Sequence, residues 1–201
     1  QARGGEFSTM LTLDILNATG RHMAAITGAQ TDRMTRDDGW RLLSIGRLVE
    51  RLCVLAPALA SGFATGAVHD SGGFEALVAL FDSTITFHAQ YQQSRDVAAL
   101  LDLLVLDRDN PRSLGWVAQT LRGRLAKLAG GAPDALDALA RRIPDPSQWA
   151  LAPLCTPDAD DRYPALAALL STCLGAAWQL SEDISLRYFT HTFETGQSLG
   201  A

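Results

Sequence analysis

DVAALLDLLVLDRDNPRSLGWVAQTLRGRLAKL, residues 96–128, reads as two helices of different character joined by a polar turn. Val97 to Leu106 is apolar apart from Asp102, so a helix here has no face left for water and belongs in a core. After the turn, Leu114, Val117, Leu121, Leu125 and Leu128 step by three and four, the spacing of one stripe on an amphipathic helix. Asn110 is placed to cap that helix and Pro111 to fill its first position.

The same periodicity runs outward in both directions. Upstream, Leu42, Ile45, Val49, Leu52, Ala56 and Leu59 form a stripe on a helix from about Arg36 or Asp37 to Ala60, with Asp37 or Asp38 as cap. Pro57 is expected to kink or end it. A looser apolar pattern from about Leu11 to Gln30 gives an earlier helix, interrupted by Gly20. Between these segments and residue 96, Asp70 or Ser71 is expected to cap one helix from Phe74 to Gln93, with His88 on its core face. Downstream come a short helix from Pro133 to about Arg142, a proline-rich loop over Ile143 to Asp161, and a last helix from Pro164 to about Thr192. No alternating run of β-branched residues is bounded by turn signals. The expected fold is all-α: an antiparallel bundle of five or six main helices in one domain over residues 10–193. Residues 1–9 (QARGGEFST) read as a cloning scar and 194–201 as a frayed tail.

Composition narrows the function. With 17 basic against 22 acidic residues, the net charge of −5 gives no field to hold nucleic acid or anionic lipid. The longest uncharged apolar run, Pro164 to Leu180, stops short of a membrane span, so no transmembrane helix is expected. Cys53, Cys155 and Cys173 have no metal spacing and are read as reduced thiols of a cytoplasmic protein. The four histidines offer no metal-binding pattern, and no phosphate loop or nucleophile elbow is present, so no metal or cofactor is expected in this chain. Arg122, Arg124, Lys127, Arg141 and Arg142 suggest a solvated basic surface, with docking of an acidic partner as the alternative. On the helix that carries Trp40 and Leu43, Arg47, Glu50 and Arg51 share the side opposite the core stripe, which suggests a partly covered polar network. An ordinary solvated ion pair explains the same residues. Arg112, in a first turn, opposes the helix dipole, a cost offset if its fork meets Asp107, Glu50 or an anionic ligand.

Three segments resemble one family. RDDGWRLLSIGRLVERL with Glu50-Arg51, LLVLDRDNPRSL from Leu103 to Leu114, and RYFTH from Arg187 to His191 are similar, in order, to the motifs of the alpha-E family, bacterial all-helical domains named for a Glu-Arg pair. The resemblance carries over to Arg47, Glu50 and Arg51; to Asp107, Asn110, Pro111, Arg112 and Ser113; and to Tyr188, Phe189 and His191. It implies the second of two units, the first alpha-E unit being a further partner. It also implies association, by fusion or co-encoding, with an ATP-grasp-type ligase that would hold ATP and Mg. The expected function is a non-catalytic accessory or interaction domain in peptide or amide ligation, binding the enzyme or an anionic, amino-acid-like substrate. The alternative is an enzyme acting through its own Arg/Glu/Asp cluster. A ligand is expected at the turn before Leu114, where Arg112 and Arg47 would converge and free backbone N–H groups favour an anion.

Overall fold

The computed structural model describes residues 8–92, 94–128 and 133–189. Every regular element among them is helical, as the periodicity requires. The chain divides into two compact units, Gln1–Trp40 and Arg41–Ala201.

In the first unit, α1 spans Thr9–Arg33, longer than its broken stripe predicts. Ser8 caps it by accepting the Leu11 N–H at 3.4 Å. Ser8 and Thr9 therefore take part in the fold, although both lie in the stretch read as a scar. No residue of α1 is buried, and Leu13, Leu16, Met23 and Ile26 are exposed. At the end of this unit Asp37 accepts the Trp40 N–H at 3.0 Å, which settles the cap of α2 (Asp38–Ala64), and the Arg36 guanidinium lies 4.2 Å over the Trp40 ring.

The second unit carries the core. From α2 it takes Ile45, Val49, Leu52, Ala56 and Leu59 of the expected stripe, with Leu48 and Leu55 added and Leu42 half-buried. Pro57 neither ends nor shortens α2: it faces solvent, and the helix runs on for seven more residues to Ala64. The segment expected as one helix is two, α3 (Ser71–Leu80), capped by Asp70, and α4 (Thr84–Tyr91). Between them Asp82 turns into the left-handed region at φ 48°. That break ends the common stripe, so Phe81 and Phe87 stay buried while His88, expected in the core, is exposed and pairs with Glu75 at 3.5 Å. Packing of the Phe74 ring against Phe87 at 5.4 Å holds the two helices together.

The apolar segment of residues 97–106 is buried as expected, but only its first half is α-helical. After α5 (Val97–Leu101), residues Asp102–Leu106 form a π-helical turn, in which the Asp107 N–H donates to the Asp102 carbonyl at 2.8 Å. Leu100, Leu101, Leu103, Leu104 and Val105 are wholly inaccessible. Helix α6 (Leu114–Leu128) packs on this turn and on α7 (Pro133–Arg142). Arg122, read as part of a solvated patch, instead pairs with Asp145 at 3.1 Å and donates to the Ile143 carbonyl at 2.7 Å, fastening the chain beyond α7 to α6. Arg142 pairs with Asp183. The proline-rich loop contains the short α8 (Leu151–Leu154), which packs against α5 and α9 (Pro164–Tyr188). By length and composition α9 passes the test for a membrane span, yet Leu166, Leu170, Cys173, Ala177, Leu180 and Ile184 place its apolar stripe in the protein core. The expected tail, 194–201, lies outside the described residues.

Candidate functional site

The turn between the π segment and α6 is built almost entirely from its own polar groups. Asp107 accepts the N–H groups of Asp109 at 2.8 Å and Asn110 at 3.1 Å. Asn110 is buried; its amide donates to the Leu103 carbonyl at 3.2 Å, while its oxygen accepts the Arg112 N–H at 3.1 Å. Asn110 therefore closes a turn instead of capping α6. The cap is Ser113, whose Oγ accepts the Trp116 N–H at 3.0 Å and donates to the Asp107 carbonyl. Gly115 follows because a Cβ there would stand 2.8 Å from the Val105 carbonyl oxygen. With the N–H groups of Arg112, Ser113 and Trp116 accepted within the turn, these amides do not form the anion cradle expected there.

What the turn presents to solvent is side-chain charge. Arg51, on α2, donates from Nη1 to the Pro111 carbonyl at 3.1 Å, so the second unit joins the Glu-Arg segment directly to the Asn-Pro-Arg-Ser segment. Arg112 pairs through Nε with Asp82 at 3.1 Å, in place of the expected Asp107 or Glu50. Between them lies a cleft of about 420 Å³ lined by Arg51, Leu55, Leu80, Phe81, Asp82, Pro111 and Arg112.

Of the residues singled out in the sequence, the structure brings Arg51 and Arg112 to this cleft and uses Asp107, Asn110 and Ser113 to close the turn that carries Pro111 and Arg112. Arg47 is half-buried but does not line the cleft, so the expected meeting of Arg47 with Arg112 is replaced by that of Arg51. Glu50 and Arg51 are exposed, which removes them from the covered network. The α2 surface beyond the core stripe curves from half-buried Leu43 and Arg47 to open solvent within one turn. Tyr188 is half-buried against the core at the end of α9, outside the cleft lining, and His191 lies outside the described residues. Asp82 and the floor residues Leu55, Leu80 and Phe81 were not legible as site residues. Leu55 sits one turn beyond Arg51, a usable signal, but nothing local marks Asp82.

A second hollow, about 300 Å³ in volume, lies between Phe63 and Ala64 of α2 and Leu166 and Leu170 of α9. Its charged lining residue, Arg162, already pairs with Asp158 at 3.1 Å and Asp160 at 2.6 Å, so it offers an incoming anion far less than the first cleft does. Cys173 is buried, which pushes its thiol up to about 12, and burial also raises Cys53 and Cys155. None of the three is poised as a thiolate nucleophile.

A family model described as "a predicted alpha-helical domain with a conserved ER motif", Alpha-E, matches residues 2–189. The chain belongs to the Alpha-E family. Glu50-Arg51 is the only Glu-Arg dipeptide in its sequence, and it is this Arg51 that holds the Pro111 carbonyl at the cleft. Uncharacterized proteins of Mycobacterium tuberculosis (strains H37Rv and CDC 1551) and Mycobacterium bovis are each 28% identical to this Alpha-E chain over 110 residues. The matched stretch is 54% of this chain and 12% of each relative. No solved structure matches the chain significantly.

Proposed function

We propose that this Alpha-E unit is a non-catalytic binding module that serves an ATP-grasp-type peptide or amide ligase in the cytoplasm, using the Arg51–Arg112 cleft to hold an anionic, amino-acid-like group of the substrate or of the enzyme. ATP and Mg would be bound by that ligase, and a first Alpha-E unit would stand beside this one.

One observation carries the reading. Two guanidiniums from segments far apart in sequence, those of Arg51 and Arg112, line one cleft with an apolar floor. Such an arrangement recognises a carboxylate by its planar donors. The candidates for intrinsic catalysis are occupied instead. Ser113 is buried with its hydroxyl engaged on both sides, and Asp107 accepts backbone N–H groups as a turn closer. That favours binding over an enzyme acting through its own Arg/Glu/Asp cluster.

The test is phosphate release by a co-encoded ATP-grasp ligase, measured with and without this chain, alongside co-purification of the two. Stimulation without turnover by the chain alone is the expected result. Turnover by the chain alone, or no binding and no stimulation, would overturn the proposal.

A further inference from the structure

We infer that the cleft is a receptor for the terminal α-carboxylate of a peptide ending in an apolar residue, and that Asp82 is the internal carboxylate which the ligand displaces from Arg112. This rests on the binding-module reading and names its ligand.

Asp82 already shows which group Arg112 accepts there. Its carboxylate meets Arg112 Nε at 3.1 Å, yet the Asp82 side chain is 88% exposed and the Arg112 side chain 44% exposed. An exposed single-point pair of this kind is weakly held and exchanges readily. A guanidinium has five N–H donors in a fixed fork, so a single contact through Nε leaves the Nη1/Nη2 edge for bidentate binding of a second carboxylate. Arg51 is oriented by its bond to the Pro111 carbonyl, which holds its charge at the rim without neutralising it. Two cations against one aspartate leave the rim one positive charge in excess, the complement of a single carboxylate.

The floor specifies the rest of the ligand. Leu55 and Phe81 are buried beneath the cleft, while Leu80 remains 55% exposed, an apolar surface left to water beside two cations. A C-terminal residue places its side chain and its carboxylate on one carbon, which matches an apolar floor directly beside a cationic rim. The volume of about 420 Å³ is at the small end for ligand sites and suits one or two residues. Little reorganisation is needed. Ser83 is wholly buried, its N–H donates to the Val78 carbonyl at 3.0 Å and its hydroxyl to the Phe81 carbonyl at 3.0 Å, so the backbone beside Asp82 stays fixed while the side chain swings away.

Titration of the full chain, followed by NMR, decides it with three probes: acetyl-Ala-Leu as the free acid, the same dipeptide as its C-terminal amide, and phenyl phosphate. The free acid is expected to shift resonances of Leu80 and Phe81, with the amide and phenyl phosphate each at least tenfold weaker. Arg112→Gln should weaken the acid at least tenfold. Asp82→Asn, which keeps a side chain tolerant of positive φ, should tighten it by about 1.5- to 5-fold, the worth of one exposed ion pair. Equal binding of acid and amide, tighter binding of phenyl phosphate, or weaker binding by Asp82→Asn would each overturn the inference. If Arg112→Gln does not fold, the acid-to-amide ratio and Asp82→Asn still decide. Ligase stimulation that persists without dipeptide binding overturns the carboxylate receptor alone, whereas loss of stimulation strikes the binding-module reading itself.

Discussion

Ser113 shows how one hydroxyl secures the site without taking part in it. Wholly buried itself, it caps α6 and ties the helix start to the Asp107 carbonyl. Ser113→Ala leaves these backbone groups without their partner and should cost about 1–2 kcal/mol in urea denaturation, the range for a lost cap. A loss under about 0.5 kcal/mol would show that the cap is dispensable. Gly115→Ala should be at least as damaging, about 1–3 kcal/mol, because its Cβ meets the Val105 and Leu106 carbonyl oxygens at 2.8 and 3.1 Å, and backbone cannot step aside as a side chain can. Glu50→Ala, by contrast, should cost less than about 1 kcal/mol, since Glu50 is exposed. The sequence pointed to Asn110 and Ser113 but gave Asn110 the cap that Ser113 supplies. Asn-Pro before an apolar stripe reads as a cap and first turn, while the Asn110 amide bond to Leu103 depends on a carbonyl that local pattern does not reveal.

Among the elements, α2 and α6 were the most readable because each has one dry face and one wet one, so period 3.6 survives in the residue pattern. The π turn was not readable for the opposite reason. Where almost every side chain from Val97 to Val105 is covered, the single polar residue, Asp102, is too little to fix an angular step, and α and π windings look alike in sequence. Nor was the α3–α4 break, since an aspartate in left-handed backbone has no glycine to announce it. Pro57 misled in another way. A proline inside a helix removes one N–H donor and crowds the preceding turn, yet the core contacts of Leu55, Ala56 and Leu59 keep α2 intact around it. Because Pro57 itself is exposed, Pro57→Ala should restore the missing bond and raise stability by about 1–3 kcal/mol. A fall in the urea midpoint would mean that the proline has a packing role.

Over the whole molecule, stability should decline at both extremes of pH. Burial, then the 2.5 Å hydrogen bond to Asp102, raises the Tyr91 hydroxyl above its ordinary value of 10. The unfolded chain therefore loses this proton first, so the Tyr91 contribution is complete below about pH 10 and is lost as pH rises beyond it. Thermal melts between pH 9 and 11 should show this decline, with a shallower slope in Tyr91→Phe; an unchanged slope would assign the effect elsewhere. At the acid end, N–H donors from Ser147 and Arg162 hold Asp145 and Asp158 below 3.8, so their stabilisation is present above that pH and disappears as pH falls through the lowered values. All-α architecture could be read at this scale. The partition at Trp40 into two units could not, because α1 has the apolar content of a packed helix while burying none of it.

The wide turn at Asp102–Leu106 sets an angular phase for everything that follows it. A π turn takes one residue more than an α turn to cover the same rotation, so letting these same residues wind as an ordinary helix would rotate Asp107 and its turn by roughly the 100° that one α-helical residue adds. Asn110 would lose its aim at Leu103, and Pro111 would carry its carbonyl away from Arg51. The Glu-Arg pair and the Asn-Pro-Arg-Ser turn thus keep their mutual register because the π winding absorbs one residue that an α-helix would turn into rotation.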